Sequence, residues 1–83
     1  MDAEVERTDA GGVESTVVAG KPGIRFVYLT TFGRSVIYRN VVVYVEHSGL
    51  LYRFHLSYND GDPNESQHLA AFQSTLNSVQ FAP

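Results

Sequence analysis

Eighty-three residues with 43% apolar content and no cysteine fit one compact domain near the lower size at which a single core is self-sufficient. They exclude a second domain, a disulfide framework, a thiolate metal site and a thiol nucleophile. The formal charge of −3 is unevenly placed: Asp2, Glu4, Glu6, Asp9 and Glu14 against Arg7 put −4 in the first fourteen residues, and the remainder sums to +1, a balance that argues against a nucleic-acid partner.

The leader, residues 1–12 (MDAEVERTDAGG), has too few large apolar residues to pack and is expected to be a disordered acidic tail, leaving 13–83 as a single α+β domain. It lacks the basic start and apolar run of a signal peptide. No apolar stretch is long enough to span a bilayer, so membrane insertion is not expected.

Glu14 to Ala19 (ESTVVA) reads as a short strand ending at a turn cluster, Gly20-Lys21-Pro22-Gly23. Ile24 to Thr31 (IRFVYLTT) is rich in β-branched and aromatic residues. Phe32-Gly33-Arg34-Ser35 supplies a turn before Val36 to His47 (VIYRNVVVYVEH), so the pair reads as a hairpin. A second turn at Ser48-Gly49 leads to Leu50 to Tyr58 (LLYRFHLSY). With a two-residue loop, His47 faces Leu50, Val45 faces Tyr52 and Val43 faces Phe54.

That register sorts the side chains, because neighbours along a strand point to opposite faces. Val41, Val43, Val45, Leu50, Tyr52, Phe54, Leu56 and Tyr58 share the core side. Tyr38, Asn40, Val42, Tyr44, Glu46, Leu51, Arg53, His55 and Ser57 share the other, where cross-strand ion, cation–π and aromatic pairs occupy the polar groups, Arg53 with Glu46 and Tyr44 among them. Arg39 falls on the core side, which predicts a bulge near Arg39-Asn40 or a place at the sheet margin.

After Tyr58 the composition turns to Asn59-Asp60-Gly61-Asp62-Pro63-Asn64-Glu65 and the apolar period lengthens. Asp62 as N-cap, Pro63 in the first helical position and Glu65 three residues after the cap predict a helix from about Pro63 to Asn77 with a capping box. Leu69, Phe72, Leu76 and Val79 form its apolar stripe. Val79-Gln80-Phe81 then leaves as an extended tail against a sheet margin.

Catalytic and metal readings compete poorly with structural ones. His47 and His55 point to opposite faces and His68 lies on the helix, whereas metal ligands must converge. Asp60, Asp62, Asn64 and Glu65 lack the alternation of a calcium loop, and capping accounts for them. There is no nucleophile elbow or glycine-rich phosphate loop. Asn64-Glu65-Ser66 matches a glycosylation acceptor, a short pattern that matters only in a secreted chain. Tyrosines with Arg25, Arg39 and Arg53 could stack bases, but the neutral charge and missing basic loop favour sheet packing. No cofactor is expected.

The succession of hairpins, the strand GLLYRFHLSY, an acidic turn and a helix finishing AFQSTLNSVQF resembles the C-terminal half of PsbP-like domains. The matching positions are Gly49, Tyr52, Leu56 and Tyr58 in the strand and Phe72, Leu76, Ser78 and Phe81 in the closing segment, within a span of about Val17 to Phe81. The N-terminal strands and helix of a complete member are missing, as in an excised piece or a minimal relative. The resemblance implies non-catalytic binding and an extracytoplasmic setting.

The sequence therefore predicts a mainly antiparallel sheet of about four strands with one C-terminal helix on one face. Its expected role is protein binding or assembly, through a protein partner or a weak homodimer, on an apolar outer face carrying Val27, Leu29, Val42, Tyr44, Leu51, Arg53 and His55. The competing expectation is a small-molecule or enzymatic site on that face built from His55, Arg53 and Tyr44.

Overall fold

A computed structural model describes residues 5–9, 11–33 and 35–81, with 5–9 described by their backbone alone. Among the described residues five strands precede one helix: β1 (Val5–Asp9), β2 (Glu14–Val18), β3 (Lys21–Phe32), β4 (Val36–His47), β5 (Leu50–Asn59) and α1 (Glu65–Ser78). Every pairing is antiparallel. β1 pairs with Tyr28–Phe32 and β2 with Lys21–Arg25 of the same β3 edge. The two lie end to end, and the sheet is four strands wide, in the order β1/β2, β3, β4, β5.

Part of the leader expected to be disordered is therefore strand. Val5–Asp9 gain a backbone ladder on an edge of β3 that β2 leaves open, and main-chain hydrogen bonds need no apolar side chains, which is why composition did not show it. The rest of that stretch through residue 10, apart from β1, lies outside the described residues.

β4 and β5 pair as the two-residue loop predicts, with His47 opposite Leu50, Val45 opposite Tyr52 and Val43 opposite Phe54. Ser48 and Gly49 both have positive φ, 53° and 78°, the backbone that matches strand twist in tight hairpins. The β2–β3 turn is equally tight, at Ala19-Gly20, so the predicted turn cluster is too long. Pro22 and Gly23 already belong to β3. Gly23 is required there by crowding: a Cβ would lie 2.5 Å from the Tyr44 carbonyl oxygen and 3.0 Å from a Val45 methyl.

The core lies between the sheet and α1. Val18, Val41, Val43, Val45 and Tyr58 are buried with Phe72 and Leu76, and Val27, Phe54, Leu56, Leu69, Val79 and Phe81 close around them. Phe81 stacks on His47 with ring centroids 4.6 Å apart and tilts over Tyr52 at 5.0 Å, fixing the extended tail to the sheet margin.

The helix starts two residues later than the spacing predicts. Asn64 is the N-cap and its side chain makes no capping bond. Asp62 turns the chain instead, its Oδ1 accepting from the Asn64 amide at 2.8 Å and its Oδ2 lying 3.1 Å from His68 Nε2. Those bonds, together with the charge of His68, hold the Asp62 carboxyl below its usual range. Glu65 is not the return arm of a capping box: its Oε2 accepts from the Tyr58 hydroxyl at 2.9 Å. Arg39 needs no bulge, since the ladder runs unbroken through it. Nor does it lie at the sheet margin: it is paired on both sides, with Leu29 and Tyr58, and its partly exposed side chain reaches Asp60 at 3.2 Å and Glu65 at 3.8 Å. Among the described helices none is long and apolar enough to cross a membrane.

Candidate functional site

The face of the sheet away from α1 is set by the length of one loop. Phe32 pairs with Val36 across Gly33 to Ser35, so even-numbered residues of β3 share a face with even-numbered residues of β4. Ile24 lies opposite Tyr44, Phe26 opposite Val42 and Tyr28 opposite Asn40, and β5 adds Arg53 opposite Tyr44 and His55 opposite Val42. Of the expected docking residues, Val42, Tyr44, Leu51, Arg53 and His55 are brought together here.

Val27 and Leu29 are not. They pair with Val41 and Arg39 on the helix side, where Val27 packs on the core. The positions that replace them, Ile24, Phe26 and Tyr28, were open to the sequence only through the count of residues in the Gly33–Ser35 turn. Both alternations of IRFVYLTT are apolar, so hydropathy alone does not choose a face.

Val42 is expected to be exposed, but it is fully buried at 0%. The cover comes from within the face. Tyr44 and Phe26 stack at 5.9 Å, Phe26 and Tyr28 at 6.1 Å, and Tyr28 meets the His55 ring at 6.3 Å. These rings lie around Val42, and each such contact adds about 0.5–1.5 kcal/mol beyond the area it buries.

Asn40 is the buried polar residue of the domain among those described, 4% exposed. Its Nδ2 donates to Thr30 Oγ1 at 3.1 Å and the Tyr28 carbonyl at 3.3 Å, with the Tyr38 carbonyl at 3.4 Å. Its Oδ1 faces His55 Nε2 at 2.9 Å. With Oδ1 only an acceptor, His55 Nε2 must carry a proton and donate. Burial first, and the Arg53 charge second, lower the His55 pKa, so the neutral imidazole with Nε2–H is the form this network holds.

Arg53 makes no ion pair with Glu46 among the described residues, contrary to the expected diagonal bridge. Around the covered centre stand exposed apolar groups of the same face: Val17 and Leu51 at 67% and Ile24 at 44%. The arrangement is an aromatic-floored surface with an exposed apolar fringe, and it carries Arg53 and Glu46.

The three histidines serve separate places. His47 stacks on Phe81, His55 is tied to Asn40, and His68 lies against Tyr58 and bonds Asp62. No group of three His, Cys, Asp or Glu side chains that could hold a metal occurs among the described residues. The polar groups at the start of α1, which the sequence reading assigned to capping, form a second cluster in which Tyr58, Glu65, Arg39 and Asp60 join helix to sheet. Burial, then the bond to Glu65 and its charge, push the Tyr58 phenol up to about 12.

Comparison with known proteins returns no match: no family model fits the chain, and no curated protein or solved structure is similar to it.

Proposed function

We propose that this domain is a non-catalytic protein-binding or assembly module, as the PsbP-like resemblance implies, that it docks through the outer face of its sheet, and that the simplest occupant is a second copy. The observation that carries this reading is the fringe of exposed Val17, Ile24 and Leu51 on a face that no element of the described chain crosses. Its charges are self-complementary. Glu46 and Arg53 lie on one face without pairing, so a two-fold axis can set Glu46 of one copy against Arg53 of the other.

The enzymatic alternative uses His55, Arg53 and Tyr44. Two of the three have structural tasks: His55 supplies the donor to buried Asn40, and Tyr44 stacks in the aromatic floor. Because Val42 is buried and Glu46 and Arg53 interrupt the exposed apolar positions, little continuous apolar area remains and the interface is weak and partly polar. Sedimentation equilibrium to millimolar chain concentration tests it. Wild type should self-associate, and Ile24→Lys, at an exposed position of the fringe, should remain monomeric with an unchanged unfolding midpoint. A monomeric wild type would refute the second-copy reading.

A further inference from the structure

β5 ends the sheet, so along Leu50–Asn59 its outer edge has no strand partner among the described residues. Exposed edges are ordinarily blunted by shortness, proline, lysine or a bulge. β5 has none of these and carries a single charged side chain, Arg53: it is 10 residues long, LLYRFHLSYN, and its ladder with β4 is unbroken from Tyr38–Asn59 to His47–Leu50. Beside it stands α1. A cavity of about 480 Å³ is lined by the four consecutive residues Arg53 to Leu56 of the strand and by Ala71, Phe72 and Thr75 of the helix, with His68 also on its wall. Consecutive strand residues point to opposite faces, so one cavity touches all four only by running along the strand's edge.

We propose that this groove accepts an extended peptide that pairs with β5 as an added strand and carries acidic side chains beside Arg53 and apolar ones toward α1. Strand addition satisfies the open backbone groups of β5, and the alternation of side chains sets the selectivity. Residues of the added strand on the outer face stand next to Arg53 and His55. Those on the other face fall among Phe54, Leu56, Ala71 and Phe72, an apolar wall. No carboxylate lines the groove. Arg53 has no ion pair among the described residues, and Asp62, which does not line the groove, is already bonded to His68. An acidic side chain therefore meets uncompensated positive charge, and a basic one meets repulsion.

A second copy suits this edge less well than a lone strand. Pairing β5 with its own copy about a two-fold axis normal to the sheet puts both helices on the same face, meeting where α1 borders the shared edge. The groove is thus a second binding surface, which shares Arg53 and His55 with the outer face.

Backbone-amide NMR titrations with two short, end-blocked peptides test the proposal, one alternating valine and glutamate and the other valine and lysine. The glutamate peptide should shift the amides of Arg53 to Leu56 and Ala71 to Thr75 while leaving Ile24 and Tyr44 in place. Arg53→Glu should reverse the preference between the peptides by about tenfold or more. Ala71→Trp, at an exposed helix position, should fill the groove and abolish binding without moving the unfolding midpoint. The proposal is overturned if neither peptide binds at millimolar concentration, if the shifts fall on Ile24 and Tyr44, or if the β5 amides of the Ile24→Lys variant, which cannot dimerise through the outer face, shift with protein concentration alone, which would give the edge to a second copy. Ile24→Lys leaves the groove intact, so peptide binding by that variant separates this surface from the outer-face dimer.

Discussion

Replacing Asn40 by alanine removes the polar centre of the outer face. Two of its bonds are short, to Thr30 Oγ1 at 3.1 Å and from His55 Nε2 at 2.9 Å, and a longer one reaches the Tyr28 carbonyl at 3.3 Å. At about 1 kcal/mol net for each short bond, with some further cost for a donor and a carbonyl left unsatisfied, Asn40→Ala should destabilise the domain by about 2–3 kcal/mol. For a domain of this size that is a fall in Tm of roughly 10–20 °C. Urea unfolding of the wild type, Asn40→Ala, His55→Ala and the double variant forms a thermodynamic cycle. Since the two side chains share a bond, the double variant should cost about 1 kcal/mol less than the sum of the singles. Strict additivity, or an Asn40→Ala cost below about 0.5 kcal/mol, would show that the Asn40–His55 network does not hold this face.

Gly23→Ala should cost about 1–3 kcal/mol by chemical denaturation, because the added methyl meets the fixed Tyr44 carbonyl and not a movable side-chain end; a neutral outcome would refute the close approach of β3 and β4 there. The Tyr58 phenol should ionise near 12 by ultraviolet titration, and Glu65→Gln should lower that midpoint by removing the neighbouring charge. The folded pKa lies above the ordinary 10.0, so the stabilisation linked to this phenol is complete below pH 10 and lost as pH rises towards 12. His55 has the opposite sign. Its folded pKa lies below 6.5, so the unfolded chain takes up the proton first; stability should be level above pH 6.5 and fall as pH drops below it, until folded His55 is protonated in turn. The difference in urea midpoint between wild type and His55→Gln across that window isolates the effect, and a difference independent of pH would contradict it.

The hairpin of β4 and β5 was legible residue by residue because Ser48-Gly49 admits one loop length, and one length fixes all ten partners. The apolar stripe of α1 was legible for the same kind of reason: Phe72 and Leu76 repeat at a helical interval and are the residues it buries. The β3–β4 register was not. Val27 and Ile24 are both plausible core residues, and only the three-residue spacing between Phe32 and Val36 sends Val27 inward and Ile24 outward. The burial of Val42 was hidden because it depends on that register, which places Phe26 and Tyr28 over it. The start of α1 shifted because Asp62 has two acceptor oxygens and spends them on Asn64 and His68, while Glu65 finds Tyr58, a residue brought near only by the return of the chain.

Docking of the outer face about a two-fold axis is tested most directly by a charge exchange between Glu46 and Arg53. Association constants from sedimentation equilibrium are needed for the wild type, Glu46→Arg, Arg53→Glu and the double variant. Each single change places like charges across the interface and should weaken association, whereas the double variant restores opposite charges and should recover most of the wild-type constant. A double variant that associates no better than the two singles, or singles indistinguishable from wild type, would contradict the two-fold docking of this face.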